Sequence, residues 1–94
     1  MSTLTDEIIK RPCAYVIRIN RALPTSRKIL DLLIDRNIKV ENINLHTISD
    51  IEAVLIINCM IEHDRIRHVT GKLEKVQGII EIELLESKAS NLWK

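Results

Sequence analysis

The sequence predicts a single α+β domain of the ferredoxin-like βαββαβ type, a plait in which a four-stranded antiparallel sheet carries two helices on one face. Three observations predict it. The 94 residues suffice for one domain. Apolar periodicity switches from strand-like to helical spacing and back twice along the chain. The third strand-like stretch is apolar on both sides, as a strand in the middle of a sheet is. Two split βαβ halves build the plait, and right-handed crossovers put the first and third strands side by side at its centre. One face of the sheet is then left without helices, to meet solvent, a ligand or another chain.

Residues 1–12 read as a polar N-terminal arm, because Pro12 interrupts a helix or a central strand. The domain is expected over residues 13–86, and residues 87–94 read as a polar C-terminal tail carrying Trp93. In the first strand Tyr15, Ile17 and Ile19 share one face, with Arg18 and Asn20 on the other. Arg21-Ala22-Leu23-Pro24 is a connection, and Thr25 or Ser26 caps the helix that follows. Ile29, Leu30, Leu33 and Ile34 fall at helical spacing, and Asn37, tolerant of positive φ, ends the helix.

The second strand, from Ile38 to His46, changes parity: Ile38 and Val40 alternate out of step with Ile43 and Leu45. An extra residue near Glu41-Asn42, a β-bulge, restores one apolar face. A turn at Thr47-Ile48-Ser49-Asp50 leads to the third strand, Ile51 to Ile61. The second helix is capped by Asp64, carries Ile66, Val69, Leu73 and Val76 inward, and ends at Gly78. Gly71 inside it is expected to allow a close approach of the sheet. The last strand, Ile79 to Leu85, turns Ile80, Ile82 and Leu84 inward and Glu81 and Glu83 outward.

Composition narrows the function. Fourteen basic against thirteen acidic residues leave a net charge of +1, too little for a field that gathers nucleic acid or an anionic membrane. No apolar run approaches the ~20 residues that cross a bilayer, and no signal peptide is apparent. Cys13 and Cys59 lie far apart with no CxxC. A reduced pair in the cytoplasm is the expected reading, with a disulfide between them as the alternative. His46, His63 and His68 lie in different elements or five apart, without metal-ligand spacing. Glu81 and Glu83, and the charges at Arg65, Arg67, Lys72 and Lys75, read as solvated faces. With only Gly71 and Gly78 as glycines there is no phosphate-cradling loop. Catalytic residues, metal and cofactor are all expected to be absent. RNA recognition on this plait needs several aromatics on the central strands, and Tyr15 is the only one there.

Two stretches carry a family resemblance. Residues 29–43, Ile-Leu-Asp-Leu-Leu-Ile-Asp-Arg-Asn-Ile-Lys-Val-Glu-Asn-Ile, and residues 72–80, Lys-Leu-Glu-Lys-Val-Gln-Gly-Ile-Ile, resemble the ACT domain, in particular the short regulatory (small) subunit of acetolactate synthase. The resemblance implies an amino-acid-responsive, non-catalytic module in branched-chain amino-acid biosynthesis. Its implied partners are a second copy of the chain, a thiamine-diphosphate-dependent large subunit, and a small amino-acid effector. It places effector-binding candidates at Asn20, Arg21, Leu23, Pro24, Thr25 and Ser26. The edge of the second strand supplies dimer candidates at Asn42, Ile43, Asn44 and His46.

One departure is sharp. The family carries Asn-x-Pro-Gly before the first helix. Counted back from Arg36, the Asn falls on Arg21, the Pro on Leu23 and the Gly on Pro24, while Asn20 fits only with a one-residue shift. Pro24 has no N–H for a carboxylate, so the expectation is weak or absent feedback binding, with the Thr25 and Ser26 amides as substitutes. The alternative reading is a free-standing ACT-type binding or interaction module with no synthase partner.

Overall fold

The computed structural model describes residues 10–86. In chain order these form β1 (Lys10–Asn20), α1 (Ala22–Asp35), β2 (Lys39–Thr47), β3 (Glu52–Glu62), a short 3₁₀ turn (His63–Arg65), α2 (Ile66–Leu73) and β4 (Ile79–Glu86). The strands make one antiparallel sheet in the order β2-β3-β1-β4. β1 and β3 therefore lie at the centre, as the doubly apolar third strand predicts.

The core lies between the sheet and the helices. Tyr15, Ile17 and Ile19 of β1 and Ala53, Leu55, Ile57, Cys59 and Ile61 of β3 are buried against Ile29 and Leu33 of α1 and Ile66, Val69 and Leu73 of α2. Branched aliphatics dominate, which suits a pleated surface with stiff side chains. Tyr15 is fully buried, and its hydroxyl lies 2.7 Å from Thr70 Oγ1. Thr70 itself donates to the Ile66 carbonyl at 2.8 Å, so Tyr15 Oη is the donor of the pair.

Several expectations are corrected. The strand expected to start after Pro12 begins at Lys10, so Pro12 lies within it. There β1 pairs with β3 alone; β4 joins only at Cys13, and proline is tolerated where a ladder has one side. Residues 1–9 of the expected arm, and the expected tail at residues 87–94, lie outside the described residues. α1 starts at Ala22 rather than after Thr25, because Pro24 falls in the first turn, where a missing N–H is harmless. Ile34 is 64% exposed; it lies about 100° round the helix from Leu33 and so off the buried stripe. α2 stops at Leu73, five residues before Gly78, and Asp64 makes no cap bond. The chain between tightens into turns, with Val76 N–H donating to Leu73 and Ile79 N–H to Val76. Ile80 is 39% exposed, because β4 is displaced by a register shift opposite Arg18 and Ile19.

Other expectations hold. Asn37 is left-handed, φ 59°. Its N–H donates to Ile34 and that of Ile38 to Leu33, the pair of bonds that closes a Schellman cap. The register of β2 slips between Val40 and Asn42, the predicted bulge. The Gly71 expectation fails: a Cβ built there meets nothing within 4 Å. Gly71→Ala is accordingly expected to stabilise the chain by about 1 kcal/mol, read as a higher urea midpoint at unchanged slope.

Candidate functional site

The six effector-binding candidates come together where β1 turns into α1. Asn20 ends the strand, and Arg21 makes the corner in the left-handed region, φ 53° and ψ 67°. That conformation costs about 1–2 kcal/mol in a non-glycine residue, and bonds to three elements hold it. Asn20 N–H donates to Gly78 at 2.8 Å, Arg21 N–H to Ile51 at 3.3 Å, and Thr25 N–H to the Arg21 carbonyl at 3.0 Å. Thr25, 2% exposed, turns its hydroxyl back to donate to the Asn20 carbonyl at 2.5 Å. Gly78 presses on this corner from the start of β4. Its φ is 107°, and a Cβ added there would collide with Thr25 Oγ1.

This geometry decides what the corner offers a carboxylate. The amides of Asn20, Arg21 and Thr25 are engaged within the protein, and Pro24 has none. The expectation that the Thr25 amide stands in for the missing glycine is therefore corrected: because the helix begins at Ala22, that amide belongs to its first hydrogen bond. Ala22 and Leu23 are the helix-start residues whose N–H groups have no partner within the helix. Ser26 is buried, and its hydroxyl has no hydrogen-bond partner among the described residues. Around the corner lie exposed aliphatics: Leu23 at 75%, Ile48 at 55% and Ile51 at 70%. Sequence reasoning placed Ile48 in a turn and missed this patch, which forms because the pairing of Asn20 with Glu52 and the Arg21–Ile51 bond set that turn beside the corner.

The dimer candidates lie along β2, an edge strand whose residues from Glu41 to Thr47 are all exposed. Asn42, Asn44 and His46 share the helix-free side, opposite Asn58, Ile56 and Val54 of β3. Asn42 Oδ1 accepts from Asn58 Nδ2 at 2.7 Å, so this amide is tied to its own sheet. Ile43 and Leu45 sit on the helix side, opposite Ile57 and Leu55, yet remain 40% and 38% exposed. An edge strand with open backbone groups and exposed aliphatics is a template for pairing.

The helix-free face carries Ala14 and Val16 of β1 and Val54, Ile56 and Met60 of β3, partly exposed, with Arg18 between Glu52 and Glu81 at 4.0 and 3.6 Å. Such exposed pairs contribute little, about 0–1 kcal/mol each. A groove of about 720 Å³ opens at the far end of the sheet from the corner, between α2 and the end of β4. Asp64, Glu74 and Glu86 line it against Arg67 and His63, so carboxylates outnumber the basic groups there. Among the described residues no group of three or more His, Cys, Asp or Glu is placed to hold a metal ion. No helix there is long and apolar enough to cross a membrane.

No family model matches the sequence, and no curated protein matches it. Among solved structures, the chain is similar to the ACT domain of GTP pyrophosphokinase from Chlorobium tepidum, at 18% identity and a TM-score of 0.70, over 81% of this chain and 99% of that one. It is similar to the C-terminal domain of the MgtC protein from Mycobacterium tuberculosis, at 10% identity and 0.67, over 88% and 93%. It is also similar to part of a homoserine dehydrogenase from Thiobacillus denitrificans, at 11% identity and 0.66, over 86% of this chain and 18% of that one. At these identities the likeness shows a fold: the four-stranded βαββαβ plait of ACT domains.

Proposed function

We propose that this chain is a non-catalytic regulatory module of the ACT type, a small subunit that activates acetolactate synthase by contact and binds feedback amino acids weakly or not at all. The observation that carries the reading is a contrast between two regions. At the corner that holds an effector carboxylate in the family, the amides of Asn20, Arg21 and Thr25 are engaged and Pro24 has none, which leaves those of Ala22 and Leu23, whereas the β2 edge lies open along its length. A module so built has more to offer a protein than a small anion. Contact shifts a partner's population only through differential affinity for one of its states, and that needs surface rather than chemistry.

The β2 edge, with Asn42, Ile43, Asn44 and His46, joins two copies into one wider sheet in this reading, and the assembled pair meets the thiamine-diphosphate-dependent large subunit. Mixing the purified chain with such a subunit is expected to give a co-purifying complex whose activity rises several-fold and is unchanged by L-valine. Micromolar binding of valine in a calorimetric titration overturns the feedback part of the reading. Absence of both complex and activation overturns the synthase part and leaves a free-standing interaction module.

A further inference from the structure

Cys13 of β1 and Cys59 of β3 are distant in sequence but directly opposite in the sheet register. Both are reduced, and both are buried, 4% and 1% exposed, among the core residues under the helices. Directly opposed residues of an antiparallel pair have Cα atoms about 4.5–5.5 Å apart, with Cβ atoms on the same face at about 4.5–5.5 Å. A disulfide asks for Cα atoms about 4.4–6.8 Å apart and Cβ atoms about 3.5–4.5 Å apart. The backbone spacing is thus already suitable, and the Cβ atoms need to close by about 1 Å.

The ladder is interrupted on both flanks of the pair. β4 begins to pair with β1 only at Cys13, opposite Glu86, and β2 slips register beside Cys59, between Val40 and Asn42. No third thiol competes, since the chain has two cysteines.

We propose that Cys13 and Cys59 are a thiol-modification site, converted by exchange with a low-molecular-weight disulfide into a cross-strand disulfide that ties β1 to β3. One cysteine loses its proton to solvent and attacks a sulfur of the small disulfide, whose S–S bond breaks and releases one thiol. The second cysteine, likewise deprotonated, attacks the protein-bound sulfur of the mixed disulfide and expels the other thiol. Two cysteine thiols are oxidised, one small disulfide is reduced, and two small thiols leave. Burial pushes both cysteines up, Cys59 to about 12, with Glu86 adding to the rise at Cys13 and Arg11 opposing it. The thiolates are scarce at neutral pH, so the exchange is slow there.

The test incubates the reduced full chain with oxidised glutathione at mildly alkaline pH, quenches with acid, alkylates and weighs the product. The expected product has lost two hydrogens, carries neither glutathione nor alkyl group, and stays a single chain on a non-reducing gel. Because the new bond closes residues 14–58 into a loop, its thermal midpoint is expected to rise by roughly 10 °C or more, and dithiothreitol should reverse the rise. Cys13→Ala and Cys59→Ala are each expected to stop at one glutathione adduct. A stable adduct on the wild-type chain, an interchain disulfide, or two alkylatable thiols at the end of the incubation each overturn the proposal.

Discussion

Replacing Gly78 by alanine is expected to remove about 2–6 kcal/mol of folding stability, a large part of the total for a domain of this size. Two effects add. At φ 107° the residue occupies backbone space that L side chains rarely enter, which costs about 1–3 kcal/mol. The new Cβ also runs into Thr25 Oγ1. Thr25 is 2% exposed and cannot swing outward, so its bond to the Asn20 carbonyl breaks, at a further cost of about 1–3 kcal/mol for the unpaired buried groups. Denaturation of Gly78→Ala alone and in a Thr25→Ala background separates the two. In that background the cost should fall by about 1–3 kcal/mol, the steric share, while the backbone share persists. An unchanged cost contradicts the collision, and a negligible cost in both contradicts the corner as described.

Between pH 9 and 12 the reduced chain is expected to lose stability steeply. Burial raises Tyr15 from 10.0 to about 12 and Cys59 from 9.0 to about 12. Below pH 9 both groups are neutral whether the chain is folded or not, so neither affects stability there. Above their unfolded values the unfolded chain releases protons that the folded chain retains. Stability therefore falls with rising pH until the folded groups also ionise near 12. Each group contributes a slope of up to about 1.4 kcal/mol per pH unit, on the order of 4 kcal/mol in total by pH 11. Urea unfolding at pH 8 and pH 11 in the presence of a reductant reads the loss. Tyr15→Phe combined with Cys59→Ala should flatten most of the slope, and a wild-type midpoint that does not move contradicts the burial of these groups.

Much of the fold was legible because its signals are local. The parity change across Val40 and Ile43 announced the bulge, and Asn37 announced the left-handed cap. The doubly apolar run from Ala53 to Met60 placed β3 at the centre. What escaped was set by neighbours in space. Pro12 read as a strand breaker and Pro24 as part of a connection, yet each sits inside an element where an N–H is not needed: one in a stretch of strand paired on a single side, the other in a first helical turn. Ile80 alternates correctly but is thrown outward by a register shift that the sequence does not announce. Gly78 read as a helix end, while its role is to let β4 start against Thr25. The candidate corner was legible as a group of six residues. Its engaged amides were not, because their acceptors Gly78 and Ile51 come from distant parts of the chain. The Cys13–Cys59 register was invisible for the same reason.

In the proposed function β2 is the surface at which this module takes its partners. Amide hydrogen exchange across residues 39–47, followed as the protein is concentrated and again on addition of the synthase large subunit, reports on that surface. Exchange in β2 is expected to slow with concentration or complex formation, while amides in the central strand β3 stay protected throughout. If the β2 amides exchange as fast as solvent-exposed ones in every state, while protection appears elsewhere, the edge is not the contact surface.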